Sequence, residues 1–374
     1  MSLRPLEGFV VGVTADRRST EQAELLERRG ASVVHGPTIR TLYLASDEDL
    51  RRATDAVIDR PPDYLVASTG IGIRAWFETA AAWGLSEPLL AGLGRAKAVA
   101  RGPKAGAALQ AAGLTVWARS PTEQMPGLVE IMAGEELEGR RVVIQEDGVP
   151  RPELEAVLAG LGASVLRVPV YRWRLPEDPT LALRLVEAAV DGSVDAITFT
   201  SAPAVHNLFA IAAAAGVAEE LRRACNNGVV ATCIGPVCAE GALAEGIVAP
   251  IAPDVGRLGL MVRVLSNHLQ GHRRTFARDD GEVVVQGSLV VAGEARATLT
   301  PKERLVFEAL AAAPPGAVVS RAALLEQCWG SAATDPHVLE VTVGRLRRRL
   351  GSFGAAITAV PGRGYRLDTS RSSA

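Results

Sequence analysis

The sequence predicts an α/β protein built as two similar parallel-sheet lobes, followed by a smaller C-terminal module of a different kind. Three observations carry this. Residues 10–40 repeat in residues 142–172 at an offset of 132, so that Gly30 falls on Gly162, Ala31-Ser32-Val33 on Ala163-Ser164-Val165, and Pro37 on Pro169. The offset persists downstream, where residues 63–84 lie over 195–216, and shifts to 133 where Gly102-Pro103 meets Gly235-Pro236. Finally, charge changes sign along the chain. Residues 1–270 hold 26 Lys and Arg against 32 Asp and Glu, whereas residues 271–374 hold 14 against 10. Opposite balances indicate two modules with different partners.

Each repeated segment reads as a strand, a polar loop, a helix stopped by Gly, then a second strand. Strands alternating with helices give parallel sheets with right-handed crossovers. A chain of 374 residues, 48% hydrophobic, is long enough for two or three domains with separate cores. It contains no run of about 20 apolar residues and no N-terminal signal pattern, which predicts a cytoplasmic protein without membrane attachment. Cys225, Cys233, Cys238 and Cys328 form no CxxC pair, and the five His do not join them at zinc spacing. A reduced, buried set with no metal is expected.

In open parallel sheets, ligands bind beyond the carboxyl ends of the strands. Those loops are Thr14–Thr20, Ser68–Arg74, Arg101–Gly106, Gln145–Arg151, Thr200–Val205 and Ile234–Ala239. Several open helices, whose free N–H groups suit carboxylates or phosphates. Arg17, Arg18, Arg74, Arg101, Lys104 and Arg151 lie on or beside them, as anion-binding groups or as solvated loop charges. Gly70-Ile71-Gly72-Ile73-Arg74-Ala75 matches the dinucleotide fingerprint G-x-G-x-x-A. Its repeat partner, Ala202–Asn207, lacks the glycines, and no acidic residue ends a second strand at the usual spacing, which weighs against a nucleotide.

The strand and helix ending in Val168–Trp173 (VPVYRW), the segment Asp195–Val205 (DAITFTSAPAV) and the segment Cys233–Ile247 (CIGPVCAEGALAEGI) resemble the uroporphyrinogen-III synthase family over about residues 8–268. The resemblance implies two α/β lobes joined by a two-stranded ladder, one inserted in the other. Lobe one would be 8–36 plus 176–268, lobe two 46–167, and the ladder Pro37–Tyr43 with Val168–Arg174. It also implies a cofactor-free reaction: hydroxymethylbilane loses its hydroxyl as water, ring D inverts and the macrocycle closes. The family's acid candidate corresponds to Tyr171, whose phenol can donate to the leaving hydroxyl. Its ring can equally serve packing alone. The implied binding positions for a substrate with eight carboxylates are Arg17, Ser68, Thr69, Gly70, Gly102, Pro103, Ser201, Gly235 and Pro236. Ala105 and Cys238 stand where the family often has Thr, so the resemblance leaves catalysis open.

From Glu282 the pattern changes. Glu282–Val285, Leu289–Val291 and Ala295–Leu299 alternate as a small antiparallel meander, after a linker at 271–281. Thr300, Pro301 and Glu303 form an N-cap, first-turn proline and capping box. Ser320 caps a second helix, and Asp335-Pro336 opens a third that ends at Leu350-Gly351. At about 100° per residue, Leu339, Val343, Leu346 and Leu350 form one seam on that third helix. His337, Val341, Gly344, Arg345 and Arg348 oppose it, with Arg347 and Arg349 on the flanks. Arginines in such density suit phosphates and guanine edges. A hairpin follows at Ile357–Leu367.

The span Glu282–Asp368 resembles the winged-helix C-terminal domain of OmpR-type response regulators through LTPKE, VVSRAALLEQCWG, EVTVGRLRRRLG and the GYR-L wing. The resemblance makes double-stranded DNA the partner, with a domain at 282–370. The DNA-contact positions expected are His337, Thr342, Arg345, Arg347, Arg348 and, on the wing, Arg363. Gly344 and Pro361 replace frequent arginines. A homodimer on direct or inverted half-sites fits such a module. No phosphoacceptor domain precedes it, because Val13–Arg17 carries a single Asp rather than an acidic pair. The expected function is a DNA-binding regulator whose front module holds a small acidic, tetrapyrrole-like ligand; the alternative is a working synthase that also binds DNA.

Overall fold

The computed structural model describes residues 3–43, 48–146, 148, 152–278, 281–314, 316–368 and 370–371. It divides into two compact units, Met1–Ile39 with Leu175–Ala374, and Arg40–Arg174. The second unit carries a parallel sheet in the order Val116–Arg119, Lys97–Ala100, Tyr64–Ala67, Arg141–Gln145, Ser164–Val168. The first carries a parallel sheet in the order Val230–Cys233, Ala196–Phe199, Val10–Val13, Ser32–His35. Both sheets have the same internal order, and Val116–Arg119 is an added edge.

The repeat in sequence is therefore not the repeat in space. Val10–Val13 and Ser32–His35 belong to the first copy, but they pair with Ala196–Phe199 and Val230–Cys233 of the second. Arg141–Gln145 and Ser164–Val168 of the second copy pair in turn with Tyr64–Ala67 of the first. The two copies exchange halves. The central strands Tyr64–Ala67 and Ala196–Phe199 are buried at every residue, as expected where helices cover both faces. The ladder forms within the second unit, Arg40–Tyr43 running antiparallel to Tyr171–Arg174 with Tyr43 opposite Tyr171.

The C-terminal module follows the expected helices closely. Thr300 caps Pro301–Ala312 with a complete capping box to Glu303; Ser320 caps Arg321–Trp329; Asp335 caps Pro336–Arg349. Three helices and the hairpin Ile357–Val360 with Gly364–Leu367 enclose one core. At its centre Phe276, Phe307 and Phe353 meet pairwise, with ring centroids 5.9 to 6.2 Å apart. This is a winged-helix fold.

One boundary differs from expectation. Within the stretch read as a linker, Arg274–Arg278 is a strand. It pairs with Gly281–Gln286 and also with Ser370–Arg371, building a five-stranded antiparallel sheet rather than a three-stranded meander. The driving force is Phe276, 1% exposed, the one large apolar side chain in a basic stretch and part of the aromatic centre. Arginines at both ends hide that period-two signal. Among the described residues no helix is long and apolar enough to cross a membrane, and the four cysteines are free and buried.

Candidate ligand loops and nucleic-acid interface

In the second unit, the buried strand Tyr64–Ala67 ends in Ser68-Thr69, and Thr69 caps the helix Gly70–Ala82 by accepting from Gly72 N at 3.1 Å. Thr69 Oγ1 also lies 3.2 Å from the Tyr171 hydroxyl. Gln145, fully buried at the end of its strand, accepts from Thr69 N at 3.0 Å through Oε1, and its Nε2 donates to Glu146 O. Tyr171 is itself 2% exposed, its ring packed in the unit's core beside Trp173. Gly148, at φ +87, leaves room for that ring, since a Cβ there would lie 2.8 Å from it. The expected site residues Ser68, Thr69, Gly70 and Tyr171 are thus one cluster around a helix N-terminus. Gln145 is the member that residue-type reasoning missed; a buried amide closing an apolar strand is the signal that could have found it.

The G-x-G pattern has a packing cause. A Cβ on Gly70 would sit 2.2 Å from Lys104 O, and one on Gly72 would sit 2.0 Å from Gln145 Nε2. Gly70 lets the helices Gly70–Ala82 and Pro103–Ala111 touch backbone to backbone, and Gly72 makes space for the buried amide. In the first unit the equivalent approach, Ala202–Ala214 against Pro236–Ala244, uses a glycine on the other helix: a Cβ on Gly241 would lie 2.6 Å from Ala202 Cβ. Gly102 is the N-cap, and Pro103 the exposed first residue, of Pro103–Ala111. Arg74 and Lys104 are exposed and Arg101 half-buried. Arg151 lies outside the described residues.

The first unit repeats the plan. Ser201 caps Ala202–Ala214 through Ala204 N, at 3.4 Å, and Gly235-Pro236 opens Pro236–Ala244. Arg17 is exposed and makes no ion pair among the described residues, whereas Arg18, at φ +57, is held by both carboxylate oxygens of Glu21. Cys238 donates through Sγ to Phe199 O at 3.5 Å. Its neighbouring sulfur and burial together push the Cys233 thiol up. Thr38 donates to Ala204 O, and Asn207 to Thr38 O, tying the loop after His35 to the helix at Ser201.

On the helix Pro336–Arg349, Leu339, Val343, Leu346 and Leu350 are all buried, as the seam requires. His337, Arg345 and Arg348 are exposed, as is Arg363 on the wing, and none forms an ion pair among the described residues. The flanking arginines are committed elsewhere. Arg347 donates through Nε to Ile357 O at 2.8 Å and stacks over Tyr365, while Arg349 pairs with buried Glu303 at 2.7 Å. Thr342 donates to Val338 O within its own helix. An open groove of about 680 Å³ runs between the helix end and the first wing strand, lined by Arg347, Arg348, Thr358 and Ala359 among others. The face offers guanidinium groups on a convex helix beside a cleft, which is what a phosphate backbone and a major groove require.

Comparison with known proteins separates the same two modules. The family described as "Uroporphyrinogen-III synthase HemD" matches residues 20–262, and that described as "Transcriptional regulatory protein, C terminal" matches residues 293–367. The uncharacterized protein YjjA of Bacillus subtilis is 31% identical over 268 residues, 71% of this chain and 97% of that protein. A solved mutant uroporphyrinogen III synthase from Thermus thermophilus is 32% identical, covering 70% of this chain and 99% of that chain with a TM-score of 0.58. The transcriptional regulatory protein CutR of Streptomyces coelicolor is 38% identical over 128 residues, 34% of this chain and 48% of that protein.

Proposed function

The chain belongs to the uroporphyrinogen-III synthase family, and from that premise we propose that it is a DNA-binding transcriptional regulator whose synthase-shaped module senses a tetrapyrrole precursor or another polyanion. The coarse half, a synthase module fused to a response-regulator-type DNA reader, stands on the two family matches. The finer half rests on one observation. Exposed Arg345, Arg348 and Arg363 of the reader share a chain with polar, helix-opening loops at Thr69, Gly102, Ser201 and Gly235. Such loops present free N–H groups to a polycarboxylate, and binding it in one conformer shifts the population of DNA-competent molecules. Arg17, exposed on the loop after Val10–Val13, is the cation we propose adds charge there.

The test selects binding sites from random duplex DNA with the full chain, then measures affinity with and without hydroxymethylbilane supplied by a deaminase. A change in DNA affinity supports sensing; equal affinity with and without the bilane, and with uroporphyrin III, removes it. A second reading is favoured by the Tyr171–Thr69 contact, which brings the phenol that the synthase resemblance offers as the acid beside a helix N-terminus. In it the chain also cyclises the bilane with loss of water. Type III isomer above the spontaneous type I background would establish that activity.

A further inference from the structure

Within the first unit the reader does not hang from a tether. The turn Gln286–Ser288, between the strands Gly281–Gln286 and Leu289–Ala292, docks on the N-terminal segment of the synthase lobe. Gln286, 1% exposed, donates through Nε2 to Arg4 O at 2.9 Å and Glu7 O at 2.8 Å. Ser288 donates to Gly8 O through both N and Oγ, each at 2.8 Å. Gly8 and Gly287 have φ of +84 and +58, and a Cβ on either would lie 2.4 Å from a carbonyl oxygen of the opposite segment. Beside this clasp, Arg304 of the helix Pro301–Ala312 forms an ion pair with Asp195, whose side chain is 5% exposed, and a second with Glu308 at 2.7 Å. Asp195 also accepts from Val10 N at 2.7 Å.

We infer that the reader is coupled to the synthase lobe through this clasp and the Asp195–Arg304 pair, with the strand Ala196–Phe199 reporting the ligand loop at Ser201 to the helix Pro301–Ala312. The relay half rests on the sensing function proposed above; the clasp does not. Asp195 immediately precedes the strand and Ser201 follows it by two residues, so about 20 Å of extended chain separates the latch from the loop. That strand is bonded in register on both sides, to Val10–Val13 and Val230–Cys233, so it moves as a body rather than bending. Removing either partner of this pair leaves the other charge uncompensated, so the pair ties the strand to the helix. Arg304 is thus a positioning residue for DNA recognition, on a helix that packs against the one that reads the DNA and is tied to it by Arg349 and Glu303.

The experiment follows amide exchange of residues 196–199 and 301–312 in the full chain against urea, alongside DNA affinity. In the parent protein both segments open at one urea concentration. In Asp195→Asn with Arg304→Met, which removes both charges together, they part, and the reader helix exchanges at least tenfold faster. Arg304→Lys, which keeps the charge, restores joint opening at least partly. Independent opening in the parent overturns the clasp, and joint opening unchanged in the double variant overturns the part given to the Asp195–Arg304 pair. For the relay, uroporphyrin III is the probe. It should change exchange of 301–312 about threefold in the parent and not in the double variant. If it binds by tryptophan quenching yet leaves that helix unchanged, the relay is wrong. If it does not bind, sensing and relay fail together, while the urea result still decides the clasp.

Discussion

Arg347 Nε donates to Ile357 O at 2.8 Å, and its guanidinium lies over the Tyr365 ring, so an arginine of the helix Pro336–Arg349 fastens that helix to its own wing. The four arginines at 345 and 347–349 therefore divide by role. Arg345 and Arg348 are exposed, Arg347 holds the wing, and Arg349 reaches back to Glu303. Replacing Arg345 and Arg348 with Ala should weaken DNA binding and reduce the slope of log affinity against log salt by about 2, since each phosphate contact contributes close to one unit. Fluorescence anisotropy between 50 and 200 mM salt, roughly the range over which such contacts are lost, measures this. An unchanged slope in a folded variant would remove these two residues from the interface.

Arg347→Ala should behave differently. It deletes a half-buried hydrogen bond and a ring contact, so part of its effect is a loss of stability of about 1–2 kcal/mol. Urea unfolding of the full chain, compared with Arg348→Ala, reads the difference. If Arg348→Ala destabilises as much as Arg347→Ala, the division of labour is wrong.

Much of this was legible in the chain. The capping box, the apolar seam and the turn glycines are local rules, and they placed three helices and a hairpin with ends close to those observed. The repeat revealed two lobes because like segments fold alike. It could not tell which sheet each strand joins, since exchanging halves between two similar lobes preserves every local pattern. Helical periodicity put Arg347 on the flank of its helix and the family resemblance made it a DNA contact, but neither could show its bond to the carbonyl of Ile357. Arg304 and Asp195 are 109 positions apart, and each looks like an ordinary surface charge until the fold joins them. Phe276 was lost among arginines for the same reason: its partners Phe307 and Phe353 lie far along the chain.

Gly72→Ala should be disruptive although Ala favours helices. The new methyl would sit 2.0 Å from Gln145 Nε2, and Gln145 is the acceptor for Thr69 N. Overpacking costs about 1–3 kcal/mol, and the displaced amide leaves a buried donor and acceptor unpaired. Thermal unfolding should show a lower midpoint. A nicotinamide or flavin titration of the parent protein should give no saturable binding, because these glycines serve packing. Saturable binding that Gly72→Ala abolishes would restore the dinucleotide assignment.

Thiol reactivity offers a check on the core. Burial pushes the Cys225 thiol up to about 12 and the Cys328 thiol to about 11. At pH 8 the thiolate fractions are then on the order of 1 in 10,000 and 1 in 1,000, so alkylation of the native protein should be slow at both. Mass spectrometry after brief iodoacetamide treatment, with and without urea, should label them only when unfolded. Rapid native labelling of Cys328 would mean that the reader's core opens easily.

Glu7 links acid stability to the reader's attachment. Its carboxyl is held below the usual range, first because Arg4 N donates to it at 3.0 Å, then because Arg296 of the reader pairs with it at 2.6 Å. A carboxyl with a lowered folded value contributes stability above its unfolded value, near 4.5, and loses that contribution as pH falls through the folded value. Glu7→Gln should therefore be less stable than the parent at neutral pH and should decline less steeply below about pH 4.5, the two curves converging in acid. Arg296→Gln should show part of the same convergence, because it removes the second cause and keeps the first. Urea midpoints across pH 3 to 7, an interval of roughly the span in which carboxylates titrate, provide the measurement. Parallel curves for parent and Glu7→Gln would show that this carboxylate does not help hold the reader to the synthase lobe.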